Sequence, residues 1–194
     1  MGFFIFTGII SHTGTIKLIT DKSISVRADL AKNLNVGDSI SVNGVCLTIT
    51  KNTNQDFFID YVEETSKKTN IRNLEINDLV NLELPATPNS LLSGHIVQGH
   101  VDTTGRLVEN KQKANSRELV FEFDSKFAKY LVDKGSVAIN GIALSVNQPT
   151  ENSFWVAIIP HTWNNTVLKN IKIGDEINLE FDVIAKYIER LLVK

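Results

Sequence analysis

The chain predicts an all-β fold with a C-terminal helix, assembled from two copies of one small barrel-like unit. Three observations predict it. The sequence repeats itself: GDSISVNGVCLT at 37–48 and GSVAINGIALS at 135–145 superpose Asn43-Gly44 on Asn140-Gly141 at an offset of 97 residues. The same offset carries Ser39 onto Ser136, Leu47 onto Leu144, Thr48 onto Ser145, Phe57 onto Phe154, Thr65 onto Thr162, Thr69 onto Thr166 and Asn81-Leu82-Glu83 onto Asn178-Leu179-Glu180. Upstream the offset is 91, with Gly8 on Gly99 and TGTIKL (13–18) on TGRLVE (104–109), so six residues have entered the second copy. Next, short runs rich in Val, Ile, Phe and Thr recur about every ten residues, the pattern of an antiparallel sandwich or barrel. Last, helical periodicity is clear only at the end, where Ile184, Ile188 and Leu191 fall on one face.

A repeat of this length exceeds a solenoid unit of roughly 20–50 residues, so it is a duplicated domain. In the first copy the strand candidates are FFIF (3–6), TIKLI (15–19), residues 24–32, SISVNGVCLTIT (39–50), DFFIDYVEE (56–64) and DLVNLEL (78–84). Asn43-Gly44 interrupts the fourth as a tight hairpin or a glycine bulge, because Asn and Gly tolerate positive φ. Residues 65–74 are polar and read as helix or turn. PATPNSLLSG (85–94) holds two of the four prolines and marks the boundary. The second copy follows the same order: HIVQGHVDTTGRLV, a polar loop KQKANS that carries the insertion, ELVFEFD, a helical turn near SKFAKYLVD, SVAINGIALSVN, SFWVAIIPHT and EINLEF. The expected domains are 1–88 and 93–182, each closing as an antiparallel barrel so that no edge is exposed. A helix over 183–194 follows, with Asp182 at its N-cap, Lys186 and Arg190 farther along, and Tyr187 and Leu192 widening its apolar face. The first copy has no such helix; this one needs a surface to pack on, either its own barrels or, as its apolarity for its length favours, partner subunits.

Composition excludes several classes. A formal charge of −2 with no basic patch argues against nucleic acid as partner. One cysteine permits no internal disulfide, and no Cys/His set has metal-ligand spacing. The apolar N-terminus MGFFIFTGII is too short to span a bilayer and lacks a charged leader, so a soluble cytoplasmic protein is expected. No nucleophile elbow, phosphate loop or dinucleotide fingerprint is present.

Alternation along a strand puts Cys46 and Thr48 on one face, with Leu47 and Ile49 on the core face; Ala143 and Ser145 are matched in the second copy. Cys46 alone reads as a small buried hydrophobe, while the matched hydroxyls of Thr48 and Ser145 also suit a cavity wall. His95 and His100 would face opposite ways on a strand and suit no shared metal; either is an ordinary half-exposed histidine or a proton carrier. His161, after Pro160 at a strand end, is a turn residue or a ligand contact. Asp182 by itself is a helix cap.

FTGII (6–10), SVNGVCLT (41–48), EETSKKTN (63–70), GHIVQGHVDTTG (94–105), INGIALSV (139–146), IPHT (159–162) and FDVIAKYIERLL (181–192) together resemble riboflavin synthase of the tandem lumazine-binding type, over essentially the whole chain. The resemblance implies two tandem six-stranded antiparallel Greek-key barrels and a homotrimer held by the C-terminal helix. It implies a dismutation in which a four-carbon unit passes between two 6,7-dimethyl-8-ribityllumazine molecules, giving riboflavin and 5-amino-6-ribitylaminopyrimidinedione. No metal or other cofactor is implied, and association with lumazine synthase is admitted. Each barrel would hold one lumazine, with the active site where an N-terminal barrel faces a neighbouring subunit's C-terminal barrel.

By the same resemblance, substrate binding falls on Gly8, Ile9, Ile10, Cys46, Leu47, Thr48, Asp60, Tyr61, Val62, Glu63, Glu64 and Thr65. In the second half it falls on Gly99, His100, Val101, Lys134, Ala143, Leu144, Ser145, Ile159, Pro160, His161, Thr162, Trp163 and Asn164. Chemistry falls on Ser39, Cys46, His100, Ser145 and Asp182. His100 suits removal of a proton from the lumazine 7-methyl group, and the others suit water binding or stabilisation of intermediates. Three departures stand out: Ala143 where the family has Ser, Trp163 where it has an aliphatic residue, and five residues before Phe6. The competing function is a non-catalytic lumazine or flavin carrier on the same fold. Retention of the NG-x-x-L-[ST] pattern in both halves, with His100, favours the enzyme.

Overall fold

The computed structural model describes residues 5–192. The first half forms a closed six-stranded barrel from His12–Ile19 (β1), Ser23–Arg27 (β2), Ser39–Val42 (β3), Val45–Asn52 (β4), Asp56–Asp60 (β5) and Leu79–Glu83 (β6). Every pairing is antiparallel, in the order β1-β2-β5-β4-β3-β6 with β6 returning to β1. The second half repeats this with Thr103–Gln112 (β7), Arg117–Glu122 (β8), Ser136–Ile139 (β9), Ile142–Ser145 (β10), Ser153–Ile158 (β11) and Glu176–Phe181 (β12).

Each core follows from strand alternation. Val45, Leu47 and Ile49 are buried while Thr48 and Thr50 are exposed, so one face of β4 fills the barrel and the other faces out. Ile16, Ile24, Val26, Ile40, Phe57, Ile59, Ile71 and Leu82 complete the first core. Leu119, Phe121, Phe154, Val156, Leu168 and Phe181 are central to the second.

The second barrel has a seam. Where β4 pairs with β5, β10 and β11 are joined only by the Asn147–Trp155 bridge. Pro149 occupies the place of Asn52, and Gln148 before it turns with φ 44°. Proline has no amide to donate, so the ladder of β4 has no counterpart there.

The pairing registers divide the insertion. Thr15 faces Arg27 and Arg106 faces Glu122, so the offset is 91 on β1 but 95 on β2. Phe57 and Phe154 restore 97. Four of the six extra residues therefore lengthen the β7–β8 hairpin, as the KQKANS loop predicts, and the other two lie between β8 and β9.

The barrels meet back to back at their Asn-Gly turns, where all four residues have positive φ. A Cβ on Gly44 would come within 2.6 Å of the Gly141 nitrogen, so the close approach requires glycine. A buried set of asparagines joins the halves. Asn81 donates to the Asn140 carbonyl at 2.9 Å and Asn178 to the Asn43 carbonyl at 2.8 Å. Asn43 and Asn140 accept in turn from the Asn81 and Asn178 amides. Symmetry breaks where Asn70 donates to Asn140, because the matching residue is Val167.

Residues 65–74 hold the end of a short helix, Glu63–Lys68 (α1), and a 3-10 turn, Asn70–Asn73. Pro160–Asn165 (α2) and Val167–Asn170 match them, with Thr69 and Thr166 capping the two 3-10 turns. The terminal helix spans Val183–Leu192 (α3), and the Asp182 side chain accepts from the Ile184 amide at 2.9 Å as its cap. Residues 193–194 of the expected helix, and residues 3–4 of the FFIF strand, lie outside the described residues. Phe6 forms a lone bridge with Val97, and residues 95–101 bend at Gly99 without joining a ladder, so the strand reading of HIVQGHV is corrected.

Candidate active site

The predicted residues gather on two matched outer faces. In the first barrel Cys46 is half-buried and Thr48 exposed on β4, with Leu47 turned into the core. Asp60, Tyr61 and Val62 run on from β5 into Glu63, Glu64 and Thr65 of α1. Of these Tyr61 is buried, its hydroxyl donating to the Thr20 carbonyl at 2.6 Å, so it supports the loop from below. Ser39 is buried on β3, paired with Thr48 across the ladder. In the second barrel Ala143 and Ser145 take the outward places on β10, and Ile159 leads into Pro160, His161, Thr162, Trp163 and Asn164 on α2.

The leading segments are exchanged between the halves. Gly8 lies against β10 of the second barrel, where the Ala143 amide donates to the Gly8 carbonyl at 2.8 Å. Gly99 lies against β4 of the first barrel, where the Cys46 amide donates to the Gly99 carbonyl at 2.9 Å. Ile10 accordingly packs on the second core and Val101 on the first. Gly8, Ile9 and Ile10 thus complete the face of Ala143, and Gly99, His100 and Val101 complete the face of Cys46. Position along the sequence assigned each segment to its own half; the chain crossing reverses that assignment.

Both crossings need glycine. A Cβ on Gly99 would approach the Cys46 Cβ to 2.4 Å, and one on Gly8 the Ala143 Cβ to 2.5 Å; both have φ 76°. Gly94 crowds Ala143 as well, so that side chain is only partly exposed.

Two buried carboxylates that sequence reasoning passed over hold these segments. Glu83 on β6 accepts from the Thr7 amide at 2.7 Å, the Thr7 hydroxyl at 2.8 Å and the Gly8 amide at 3.1 Å. Glu180 on β12 accepts from the Gln98 amide at 2.6 Å and the His100 amide at 3.0 Å. The repeat itself was the signal, since Asn-Leu-Glu recurs at both positions. Burial pushes both carboxyls up, that of Glu180 to about 7, against the lowering pull of the amides. Burial likewise raises the Cys46 thiol, with the Ser39 side chain opposing.

His100 is exposed, on the segment seated against Cys46. His95, in contrast, is half-buried; burial lowers its pKa against the pull of Asp182, and its Nε2 has no hydrogen-bond partner. Lys134 turns back to Asn147, bonding Nζ to the amide oxygen, in a left-handed conformation with φ 64°. Trp163 packs on the second core with the Arg117 guanidinium 4.2 Å above its ring. Asp182 caps α3 and stands close enough to His95 to act on its ring. A cleft of about 970 Å³ lies elsewhere, beside Asn43, Asn70, Asn140 and Lys169, and has none of the residues of the two faces. Among the described residues no His/Cys/Asp/Glu cluster could hold a metal, and no helix is long and apolar enough to cross a membrane.

Comparison with known proteins agrees with the duplicated fold. The lumazine binding domain family matches residues 7–85 and again 98–182. Riboflavin synthase of Actinobacillus pleuropneumoniae is 40% identical, over 97% of this chain and 90% of that protein. Those of Photobacterium phosphoreum and Bacillus subtilis (strain 168) are 39% and 36% identical over 97% of this chain. Among solved structures, LumP complexed with riboflavin superposes with a TM-score of 0.83 at 21% identity, covering 91% of this chain and 98% of that one. LumP with 6,7-dimethyl-8-(1'-D-ribityl) lumazine gives 0.80. The chain belongs to the riboflavin synthase family, with two lumazine binding domains in tandem.

Proposed function

We propose that the protein is a riboflavin synthase, converting two 6,7-dimethyl-8-ribityllumazine molecules into riboflavin and 5-amino-6-ribitylaminopyrimidinedione. The observation that carries this reading is the pair of matched faces, each made of a β-strand with outward small or polar residues, a short helix and a glycine segment from the other half. A dismutation of two identical substrates calls for two similar sites whose ligands meet, and proximity then supplies much of the rate. All atoms of the two lumazines are accounted for in the two products, so the transfer needs no external oxidant or reductant.

In this reading His100, exposed beside Cys46, takes the 7-methyl proton of one lumazine, and the resulting carbanion attacks the other. Ser39, Cys46 and Ser145 offer hydrogen bonds to water or to the dearomatised rings. Asp182 acts at most through α3 and the neighbouring His95. Gly8, Ile9, Ile10, Ala143 to Ser145 and Ile159 to Asn164 form one binding site; Cys46 to Thr48, Asp60 to Thr65 and Gly99 to Val101 form the other. The folding units are 1–88 and 93–182 with their leading segments exchanged, and Val183–Leu192 is the assembly helix. Its Ile184, Tyr187, Ile188, Leu191 and Leu192 are all more than half exposed, which supports a homotrimer that brings unlike barrels of neighbouring subunits together. A soluble, cytoplasmic enzyme is the setting.

Incubating the purified protein with the lumazine as sole substrate tests the proposal. Riboflavin should form with an equal amount of the pyrimidinedione. Tight binding of lumazine without any riboflavin would instead identify a carrier.

A further inference from the structure

We propose that Glu83 and Glu180 are positioning residues for the reaction, each anchored in one barrel and holding in place the binding segment that serves the other barrel. The inference rests on the two-site reading above for its functional consequence, but its geometry stands alone. Glu180 belongs to β12 of the second barrel, yet the amides it receives, from Gln98 and His100, lie on the segment seated against Cys46 of the first barrel. Glu83 belongs to β6 of the first barrel, yet it receives Thr7 and Gly8, which are seated against Ala143 of the second. Each segment is therefore gripped on one edge by a carboxylate and on the other by the opposite barrel's strand.

The two braces are not equivalent. Glu83 gains a third donor, the Thr7 hydroxyl, where the matching Gln98 gives Glu180 only its amide. Glu180 has charged neighbours instead. Asp102, at the approach to β7, and Lys186, on α3, both act on it, and the two pair with each other at 2.6 Å. Cys46 on β4 also feels its charge, and His100 is bonded to it through the backbone. An ionised carboxylate accepts from both amides, whereas a protonated one turns a donor toward one of them. The Glu180 brace should therefore slacken as pH falls, and Glu180→Gln should reproduce the slack state at every pH.

Cys46 is the chain's one cysteine and reports on its own site. The measurement is the rate per thiolate, taken from the full pH profile so that loss of the Glu180 charge is not itself read as exposure, at which it reacts with an uncharged aromatic disulfide reagent in the full-length protein. Glu180→Gln should raise that rate several-fold at pH 8 and remove its pH dependence beyond that of thiol ionisation. Glu83→Gln should leave it within twofold of wild type. Both variants should raise the KM for the lumazine more than they lower kcat. Should Glu180→Gln not fold, Glu180→Asp serves, since it keeps the charge but withdraws the carboxylate by one methylene. Equal acceleration by both variants would show general loosening, and no acceleration by either would show that Glu180 does not hold the segment; each result overturns the proposal. Thiol rates as expected in a protein that makes no riboflavin would leave the brace standing and sink the enzymatic reading alone.

Discussion

Gly99 and Cys46 touch across the two halves of the chain: the Cys46 amide donates to the Gly99 carbonyl at 2.9 Å, and a Cβ on Gly99 would stand 2.4 Å from the Cys46 Cβ. Gly99→Ala therefore adds a backbone clash to a left-handed conformation that alanine disfavours by roughly 1–2 kcal/mol. Total destabilisation of about 3 kcal/mol or more is expected in urea unfolding. Gly37→Ala supplies the control, because its φ of 94° is equally left-handed but nothing lies within 4 Å. It should lose only the conformational part.

Stability should depend on pH through Glu180. Its folded-state carboxyl is raised from 4.5 to about 7. Burying the charge costs more than the second amide bond of the ionised form returns, so the folded form retains a proton that the unfolded chain releases; although the brace itself is looser when protonated, the fold gains stability that is full below pH 4.5 and is lost as pH rises through about 7. The swing is on the order of 3 kcal/mol. Glu180→Gln removes it, so its thermal midpoint should stay level over the window in which the wild-type midpoint falls, after correction for the smaller contribution of Glu83.

The asparagine junction sets how the barrels are held together. Asn178→Ala removes its donation to the Asn43 carbonyl and leaves the Asn70 amide without its acceptor. Stranding two buried groups costs about 2–4 kcal/mol. Combined with Asn81→Ala, the loss should separate the barrels, and chemical denaturation should then show two transitions.

Truncation after Asp182 should abolish assembly. Residues on one side of α3 are exposed and apolar, while its other side carries the Lys186–Asp102 and Lys129–Glu189 pairs. Light scattering should report a monomer, with riboflavin formation lost. A fully active monomer would refute an active site shared between subunits.

Ala143→Ser tests the departure from the family pattern. The methyl of Ala143 is hemmed by Gly8 and Gly94, so an added oxygen must point away from both. A hydroxyl that bonds mainly to charge developing in the transition state raises kcat with little change in KM. A gain of several-fold to roughly tenfold is expected for about 1 kcal/mol. Unchanged turnover with unchanged assembly would make the alanine neutral.

The repeat made the duplication legible, down to the Asn-Gly turns and the outward faces of β4 and β10, because strand alternation and positive φ are local properties. The cap at Asp182 was legible for the same reason. Chain crossing was not, since nothing in TGII or QGHV says which barrel it will meet; only the distances from Gly8 to Ala143 and from Gly99 to Cys46 do. Glu83 and Glu180 read as ordinary strand carboxylates until their burial and their amide partners are seen. The open seam beside β10 was written in Gln148-Pro149, but symmetry with β4 concealed it.

The central claim is that each chain carries two lumazine sites, each completed by the opposite half. A fluorescence titration with a lumazine analogue lacking the 7-methyl group, which cannot form the carbanion, counts them directly. Wild-type protein should bind two per chain with unequal affinity, and Gly99→Ala, at a temperature where it remains folded, should retain the one site at Ala143 and Ser145. One site per chain in the wild type, or a Gly99→Ala variant that keeps both, would contradict the account.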